Sequence, residues 1–161
     1  MFKLSLRKIK SSDKKYFARW WRDEELLKLT SGILRRIPDR KVDGYFQNIL
    51  KSRRDYHFMV TVNENVIGHI SLAKRRNGWY ETQIVIGEKK YWGKGYGSKA
   101  IGLLMKKAKR LGISKIYLEV RPTNMRAIHA YTHCGFKKVK TILYPKNKYL
   151  PKTLRMELNQ R

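Results

Sequence analysis

Cysteine is almost missing from this chain: Cys134 stands alone, which excludes an internal disulfide and any multi-cysteine metal site. Acidic residues are scarce as well, with 12 Asp and Glu against 38 Lys and Arg, a formal net charge of +26. The excess runs through the whole sequence rather than sitting in a tail. A field of that sign attracts polyanions and repels polycations at long range, so it speaks about partners and not about fold. No uncharged apolar run exceeds a few residues, which excludes a membrane-spanning helix on length. Four prolines and no low-complexity stretch leave no linker or repeat to divide the chain. What remains is 161 residues with 42% hydrophobic content, enough to bury a substantial core, and residues 1–161 are expected to form a single domain. Met1-Phe2-Lys3-Leu4 begins a strand-like pattern instead of the apolar stretch of a secretory leader, so the cytoplasm is the expected home.

Residues 3–9 alternate in polarity as a half-buried strand does. Ser12 and Asp13 offer a helix cap, and Tyr16, Phe17, Trp20, Trp21, Leu26 and Leu27 supply an apolar stripe after it. A second helix is predicted from about Asp39 to Lys51. Two strands follow, Tyr56–Val62 and Val66–Leu72, joined through Asn63-Glu64-Asn65, and a third runs over Trp79–Ile86. Ile101, Leu104, Met105, Ala108 and Leu111 then mark an amphipathic helix closed by Gly112. Ile116–Val120 reads as a strand, and Pro122-Thr123-Asn124 caps a helix ending near Gly135. Phe136–Leu143 and Thr153–Leu158 close the chain as strands. The order is strand, two helices, three strands, helix, strand, helix, two strands. It predicts an α+β fold: a mixed sheet of about seven strands covered by about four helices.

The richest chemistry lies where strand Gln83–Ile86 gives way to Tyr91-Trp92-Gly93-Lys94-Gly95-Tyr96-Gly97-Ser98 and then to a helix. Glycine at every second position leaves backbone N–H groups uncovered, and the following helix adds the free N–H groups and positive dipole end of its first turn. That combination suits a pyrophosphate. The Walker spacing Gly-x-x-x-x-Gly-Lys-Ser/Thr does not occur here. The dinucleotide pattern Gly-x-Gly-x-x-Gly fails because Ser98 occupies its last position, which argues against a nicotinamide cofactor.

Tyr91-Trp92-Gly93-Lys94-Gly95-Tyr96-Gly97 resembles the acetyl-CoA loop of the GNAT superfamily of N-acetyltransferases, with Trp92 departing from the usual Gln or Arg. Asn124 through Phe136 matches the family's Asn-x-x-Ala-x-x-x-Tyr-x-x-x-Gly-Phe segment at Asn124, Ala127, Tyr131, Gly135 and Phe136. The opening, from Leu6-Arg7 through Trp20 to Glu25, is similar to the branch of ribosomal-protein and polyamine acetyltransferases. The resemblance covers nearly the whole chain and implies the GNAT fold, acetyl-CoA as cofactor and transfer to an amine. It implies that the pantetheine arm pairs with Val85 and Ile86. The pyrophosphate would rest on Trp92, Gly93, Lys94, Gly95, Tyr96, Gly97 and Ser98, with Lys99 adding charge. Asn124 would meet the arm and Arg126 a phosphate.

By the same resemblance Tyr131 is the acid beside the sulfur. Its phenol is protonated at neutral pH. Glu81 matches a position where relatives carry an acidic residue near the acceptor and is the first candidate base; Glu119 is a further one. Trp21, Asp23 and Glu24, with Glu25 beside them, lie on the first helical segment, which borders the acceptor in similar proteins. Each acid could instead make an ordinary salt bridge, and Lys94, Lys99 and Arg126 could be plain surface charge. Cys134 reads as packing. His129 and His133 stand four apart but lack a third ligand, so no metal is expected.

The expected acceptor is an amine on a small molecule or peptide. A +26 protein suits an amine on an anionic scaffold, such as a nucleotide-linked amino sugar or a ribosome-associated protein, better than a free polycation. Association with a polyanion or the ribosome, no membrane contact, and a monomer or homodimer complete the expectation. The competing reading is a basic nucleic-acid-binding module on a non-catalytic GNAT fold. Residues 30–40 and 144–152 are the segments expected to select the acceptor.

Overall fold

The computed structural model describes residues 2–30 and 36–160. Among these residues it contains seven strands: β1 (Leu4–Lys8), β2 (Tyr56–Val62), β3 (Asn65–Lys74), β4 (Trp79–Ile86), β5 (Lys115–Val120), β6 (Lys137–Leu143) and β7 (Lys152–Asn159). The α-helices are α1 (Lys14–Trp20), α2 (Glu24–Thr30), α3 (Asp39–Lys51), α4 (Tyr96–Arg110) and α5 (Met125–His133). Short 3₁₀ turns stand at Ser11–Asp13, Arg76–Gly78 and Lys89–Tyr91. Residues 31–35, part of the 30–40 segment expected to select the acceptor, lie outside the described residues. Among the described residues no helix is long and apolar enough to cross a membrane.

The strands form one sheet in the order β1-β2-β3-β4-β5-β7-β6. Every neighbouring pair is antiparallel except β4 and β5, which run parallel. The β2–β3 hairpin closes through Asn63 and Glu64 with φ of 47° and 69°. Two successive positive φ values match the right-handed twist of the flanking strands, and asparagine tolerates them best.

The sheet separates two apolar clusters. On one face Ile101, Leu104 and Ala108 of α4 and Ile128 of α5 bury against Ile67, Ile70, Ile116 and Met156. On the other, Phe17, Trp20, Leu26 and Phe46 pack over Met59 and Val66. The three-to-four spacing of apolar residues on α4 thus covers the sheet with one stripe while its lysines stay in solvent. Truncating a residue such as Leu104, fully buried, would cost about 2–5 kcal/mol.

The fold class is the mixed α+β arrangement read from the sequence, with one correction. The stripe from Tyr16 to Leu27 is two helices, not one. Asp23 ends the first helical run by capping the second, its Oδ1 accepting the Leu26 N–H at 3.2 Å, and Glu24 and Glu25 occupy the favourable first turn of α2. Asp13 caps in its own way. Its carboxylate accepts the Lys10 backbone N–H at 2.7 Å and pairs with Arg7 at 2.7 Å. Burial opposes the charge on Asp13, but the Arg7 and Lys10 contacts prevail and hold its carboxyl below the ordinary 3.8.

Candidate active site

The parallel pairing of β4 with β5 stops early. Trp79, Tyr80 and Glu81 pair with Lys115, Ile116 and Tyr117, and the register ends there although both strands continue. Residues 82–86 and 118–120 therefore diverge while β4 keeps its pairing with β3 as far as Ile86 opposite Gly68. The wedge opens into a cleft of about 580 Å³, whose wall includes Thr82–Ile86, the loop from Tyr91 to Ser98 apart from Lys94, and the α5 face carrying Asn124, Arg126 and Tyr131.

Three features of the cleft suit a phosphorylated ligand. Gly93 and Gly95 adopt φ of 71° and 77°, the left-handed region that favours glycine, and a Cβ at either would meet no atom within 4 Å. Gly95 stands immediately before α4, and Lys99 N–H is the first to return to its carbonyl, at 3.1 Å, so the first-turn N–H groups of α4 face outward. Within the wedge, Thr82 Oγ1 is buried with no hydrogen-bond partner among the described residues. A buried hydroxyl left unpaired costs about 1–3 kcal/mol, which a ligand in the cleft would recover.

Trp92 does more than the loop pattern suggests. Its indole Nε1 donates to the Ile86 carbonyl at 2.6 Å, and the Arg126 guanidinium lies 4.7 Å from its ring centroid. The ring thus fastens the loop to the end of β4 and the start of α5. The sequence signal was an amphipathic Trp at the position where the resemblance expects Gln or Arg; such a side chain seeks one partner for its N–H. Val85 and Ile86 line the cleft, as do Gly93, Gly95, Tyr96, Gly97 and Ser98. Lys94 points into solvent outside the lining, and Lys99 lies 5.9 Å from the Tyr96 ring centroid. Asn124 caps α5 with Oδ1 on the Ala127 N–H at 3.2 Å, which leaves its amide NH₂ to donate.

Tyr131 is buried in the cleft wall, edge-on to Phe136 at 6.0 Å between centroids. Burial, with a smaller contribution from Cys134, pushes its phenol well above the ordinary 10, so it holds its proton at neutral pH. Cys134 donates to the Ser98 carbonyl at 3.4 Å, and burial pushes its thiol up as well, which leaves it a packing residue. His129 and His133 line the cleft, and no group of three metal-ligating side chains forms among the described residues.

The acidic candidates separate. Glu81 stands at the last paired position of β4, outside the cleft lining, with Arg75 Nη2 at 2.7 Å and Nε at 2.9 Å from its Oε2. Asp23 and Glu25 share Lys89 at 3.1 and 2.6 Å, and Glu24 pairs with Lys28 at 3.4 Å. Trp21 packs 5.2 Å from the Phe17 ring centroid and 6.1 Å from that of Tyr45. None of Trp21, Asp23 and Glu24 lines the cleft; from α2 the wall takes Leu26, Leu29 and Thr30 instead. Glu119 does line it. Its Oε2 accepts from Thr153 Oγ1 and the Tyr144 hydroxyl, both at 2.6 Å, and no cation pairs with it among the described residues. Hydrogen bonding to that carboxylate pushes the Tyr144 phenol up to about 12, so Tyr144 remains a donor. The sequence put Glu81 ahead of Glu119, whereas it is Glu119, beyond the end of the β4–β5 pairing, that lines the cleft.

Residues 3–137 match the family model of the acetyltransferase (GNAT) domain. An uncharacterized protein of Methanocaldococcus jannaschii is 28% identical over 92 residues, which is 56% of this chain and 19% of that protein. The match therefore spans less than a fifth of that relative's own length. Among solved structures, spermidine N-acetyltransferase of Vibrio cholerae, in complex with CoA and spermine, superposes with a TM-score of 0.84 at 21% identity, over 98% of this chain and 95% of that one. Aminoglycoside acetyltransferase AAC(6')-Ib in complex with coenzyme A gives 0.80 at 18% identity over the same shares. At these identities the likeness is one of fold.

Proposed function

The chain belongs to the acetyltransferase (GNAT) domain family, and from that premise we propose that it is an acetyl-CoA-dependent N-acetyltransferase that acetylates a primary amine held at Glu119 by direct attack within a ternary complex. The observation that carries this reading is that Tyr131 of α5 and Glu119 of β5 both line the cleft that opens where the β4–β5 pairing ends. Acetyl-CoA supplies the activated acetyl group. The Trp92 backbone N–H is taken by the Lys89 carbonyl at 2.9 Å, so backbone N–H groups from Gly93 to Ser98 would hold the pyrophosphate, Arg126 would add charge, and Val85, Ile86, Thr82 and Asn124 would meet the amide-bearing arm.

Glu119, a carboxylate held by two hydroxyls, is suited to bind the acceptor's ammonium and to take its proton, directly or through water. An alkyl ammonium has a pKa of about 10.4, so it must lose that proton before it can attack. Glu81, neutralised by Arg75, is a positioning residue in this scheme, and Asp23 and Glu24 brace α2. Tyr131 holds a proton for the departing thiolate.

Spermidine and aminoglycosides, substrates of the structural neighbours by their names, are polycations, which a protein of net charge +26 repels at long range. The acceptor proposed here is instead an amine on an anionic scaffold. Thiol release from acetyl-CoA against a panel of amines, sugar nucleotides and peptides tests the reading. Tyr131→Phe should lower kcat about 10²–10⁴-fold with little change in CoA affinity, and Glu119→Gln should lower it comparably while Glu81→Gln retains most activity. Full activity of Glu119→Gln with loss in Glu81→Gln would reverse the assignment of the base.

A further inference from the structure

Between Val120 and Met156 the chain carries nine Lys and Arg and no Asp or Glu. This segment folds as α5, the edge strand β6, an ordered turn over residues 144–151, and the start of β7. β6 is unusual in being exposed on both faces, with only Ile142 partly covered. Lysines along it, at Lys137, Lys138 and Lys140, serve in part to block edge-to-edge pairing with another sheet. That duty does not account for Lys146, Lys148 and Lys152. They lie beyond the strand's paired edge or on its far partner, all three exposed, and make no ion pair among the described residues.

The turn that carries them is tied down. Asn147 Oδ1 accepts the N–H groups of Tyr149 and Leu150 at 3.0 Å each, Tyr144 N–H donates to the Pro151 carbonyl at 2.7 Å, and Arg121 donates to the Tyr149 carbonyl at 2.9 Å. These bonds hold the backbone of the turn, which carries Tyr149, 59% exposed, next to Lys148 in sequence. An exposed aromatic on an ordered, lysine-bearing turn is a surface on which unpaired bases stack while lysines meet the phosphates. The same turn borders the acceptor cleft: Leu150 and Thr153 line it, and Tyr144 reaches Glu119.

We propose that this turn and the adjoining β6 form a docking surface for single-stranded nucleic acid, which brings an amine carried on that nucleic acid or on its protein complex to the cleft. What is docked rests on the reading of the cleft as the acceptor site; the docking itself does not. Charge complementarity selects the occupant. An anionic lipid surface would also meet the lysines and accept an interfacial tyrosine, so vesicle capture is the outcome that tells the two apart.

The test is fluorescence anisotropy with a labelled single-stranded RNA of about twelve nucleotides, measured without CoA between about 50 and 200 mM KCl. Calorimetric CoA binding and turnover of a free amine are measured separately on the same proteins, so loss of the enzyme reading and loss of the docking surface are distinguishable. Wild-type protein should bind the RNA. A Lys146→Ala/Lys148→Ala/Lys152→Ala variant should bind roughly tenfold more weakly, with the slope of log affinity against log salt reduced by about 2. Tyr149→Ala should lose about fivefold or more and Tyr149→Phe little, because the phenyl ring still stacks. CoA affinity should be unchanged in all of them.

The charge-matched control is Lys106→Ala/Lys109→Ala/Arg110→Ala, on the solvent face of α4. It lies at the far end of β7, where Gln160 bonds the Met105 carbonyl. Equal losses in the two triple variants would reduce the effect to the overall charge and overturn the proposal. So would equal affinities of Tyr149→Ala and wild type, or capture by phosphatidylserine vesicles without RNA binding.

Discussion

Two histidines on neighbouring strands show how one residue pair can set a stability window. His57 Nδ1 and His69 Nε2 lie 3.1 Å apart with their rings stacked, and His69 also meets the Phe17 ring edge at 4.9 Å between centroids. A neutral pair satisfies this contact, with one ring donating and the other accepting, whereas two imidazolium rings would oppose two donors. Burial, helped by His57, lowers His69 from the ordinary 6.5 to about 3, and burial lowers His57 too. In the unfolded chain both rings bind a proton near 6.5, so the folded state gains stability above that pH and loses it as the pH falls below. The slope approaches about 1.4 kcal/mol per pH unit for each ring that stays neutral in the fold. Asp13 loses its own contribution in the same direction, but only as the pH falls through the carboxylate range below 3.8. Urea unfolding between about pH 6.5 and 4.5 therefore isolates the histidines, and His69→Phe should flatten that slope. An unchanged slope would show that the pair does not resist protonation.

At the scale of elements, much of the sheet was legible because its signals are local. Tyr56–Val62 and Trp79–Ile86 run between residues that can turn, and both appear with the bounds their alternation implies. The break in the first helix was not legible, since the apolar spacing from Tyr16 to Leu27 continues through it. Asp23 decides the matter by capping α2 and meeting Lys89, sixty-six residues away in sequence by a contact no local pattern encodes. The site divides in the same way. The glycine loop and the α5 segment announced themselves by spacing, whereas the presence of Glu119 in the cleft lining, and of Glu81 outside it beside Arg75, depends on where two strands part. Another non-local constraint sits at Gly87, just after β4. A Cβ there would fall 2.1 Å from the Trp20 indole, which is buried and bonded to Glu88. Gly87→Ala should cost about 1–3 kcal/mol in urea unfolding, and it should weaken CoA binding by shifting the segment that enters the loop. Unaltered stability and CoA affinity would mean the indole yields freely.

For the whole molecule, the surplus of positive charge should make salt a stabiliser. The acidic groups number 12, so most of the 38 cations have no opposite charge to meet. The pairs that do form are largely exposed, as at Lys14–Asp43, Lys28–Glu24 and Lys89–Glu25, and each contributes about 0–1 kcal/mol. Salt screens these attractions and the far more numerous repulsions alike, and the balance favours relief of the repulsion. Raising NaCl from about 20 to 500 mM shortens the screening length from roughly 20 to 4 Å, below the spacing of most lysines on such a surface. The melting temperature should then rise by several degrees, because each kcal/mol relieved moves Tm by about 2–4 °C in a chain of this size. KCl should act like NaCl, since screening depends on ionic strength and not on the cation. A melting temperature that falls steadily with salt would show that the few ion pairs, Arg7–Asp13 foremost, outweigh the surplus, and the +26 charge would then be a property of the surface that the fold does not feel.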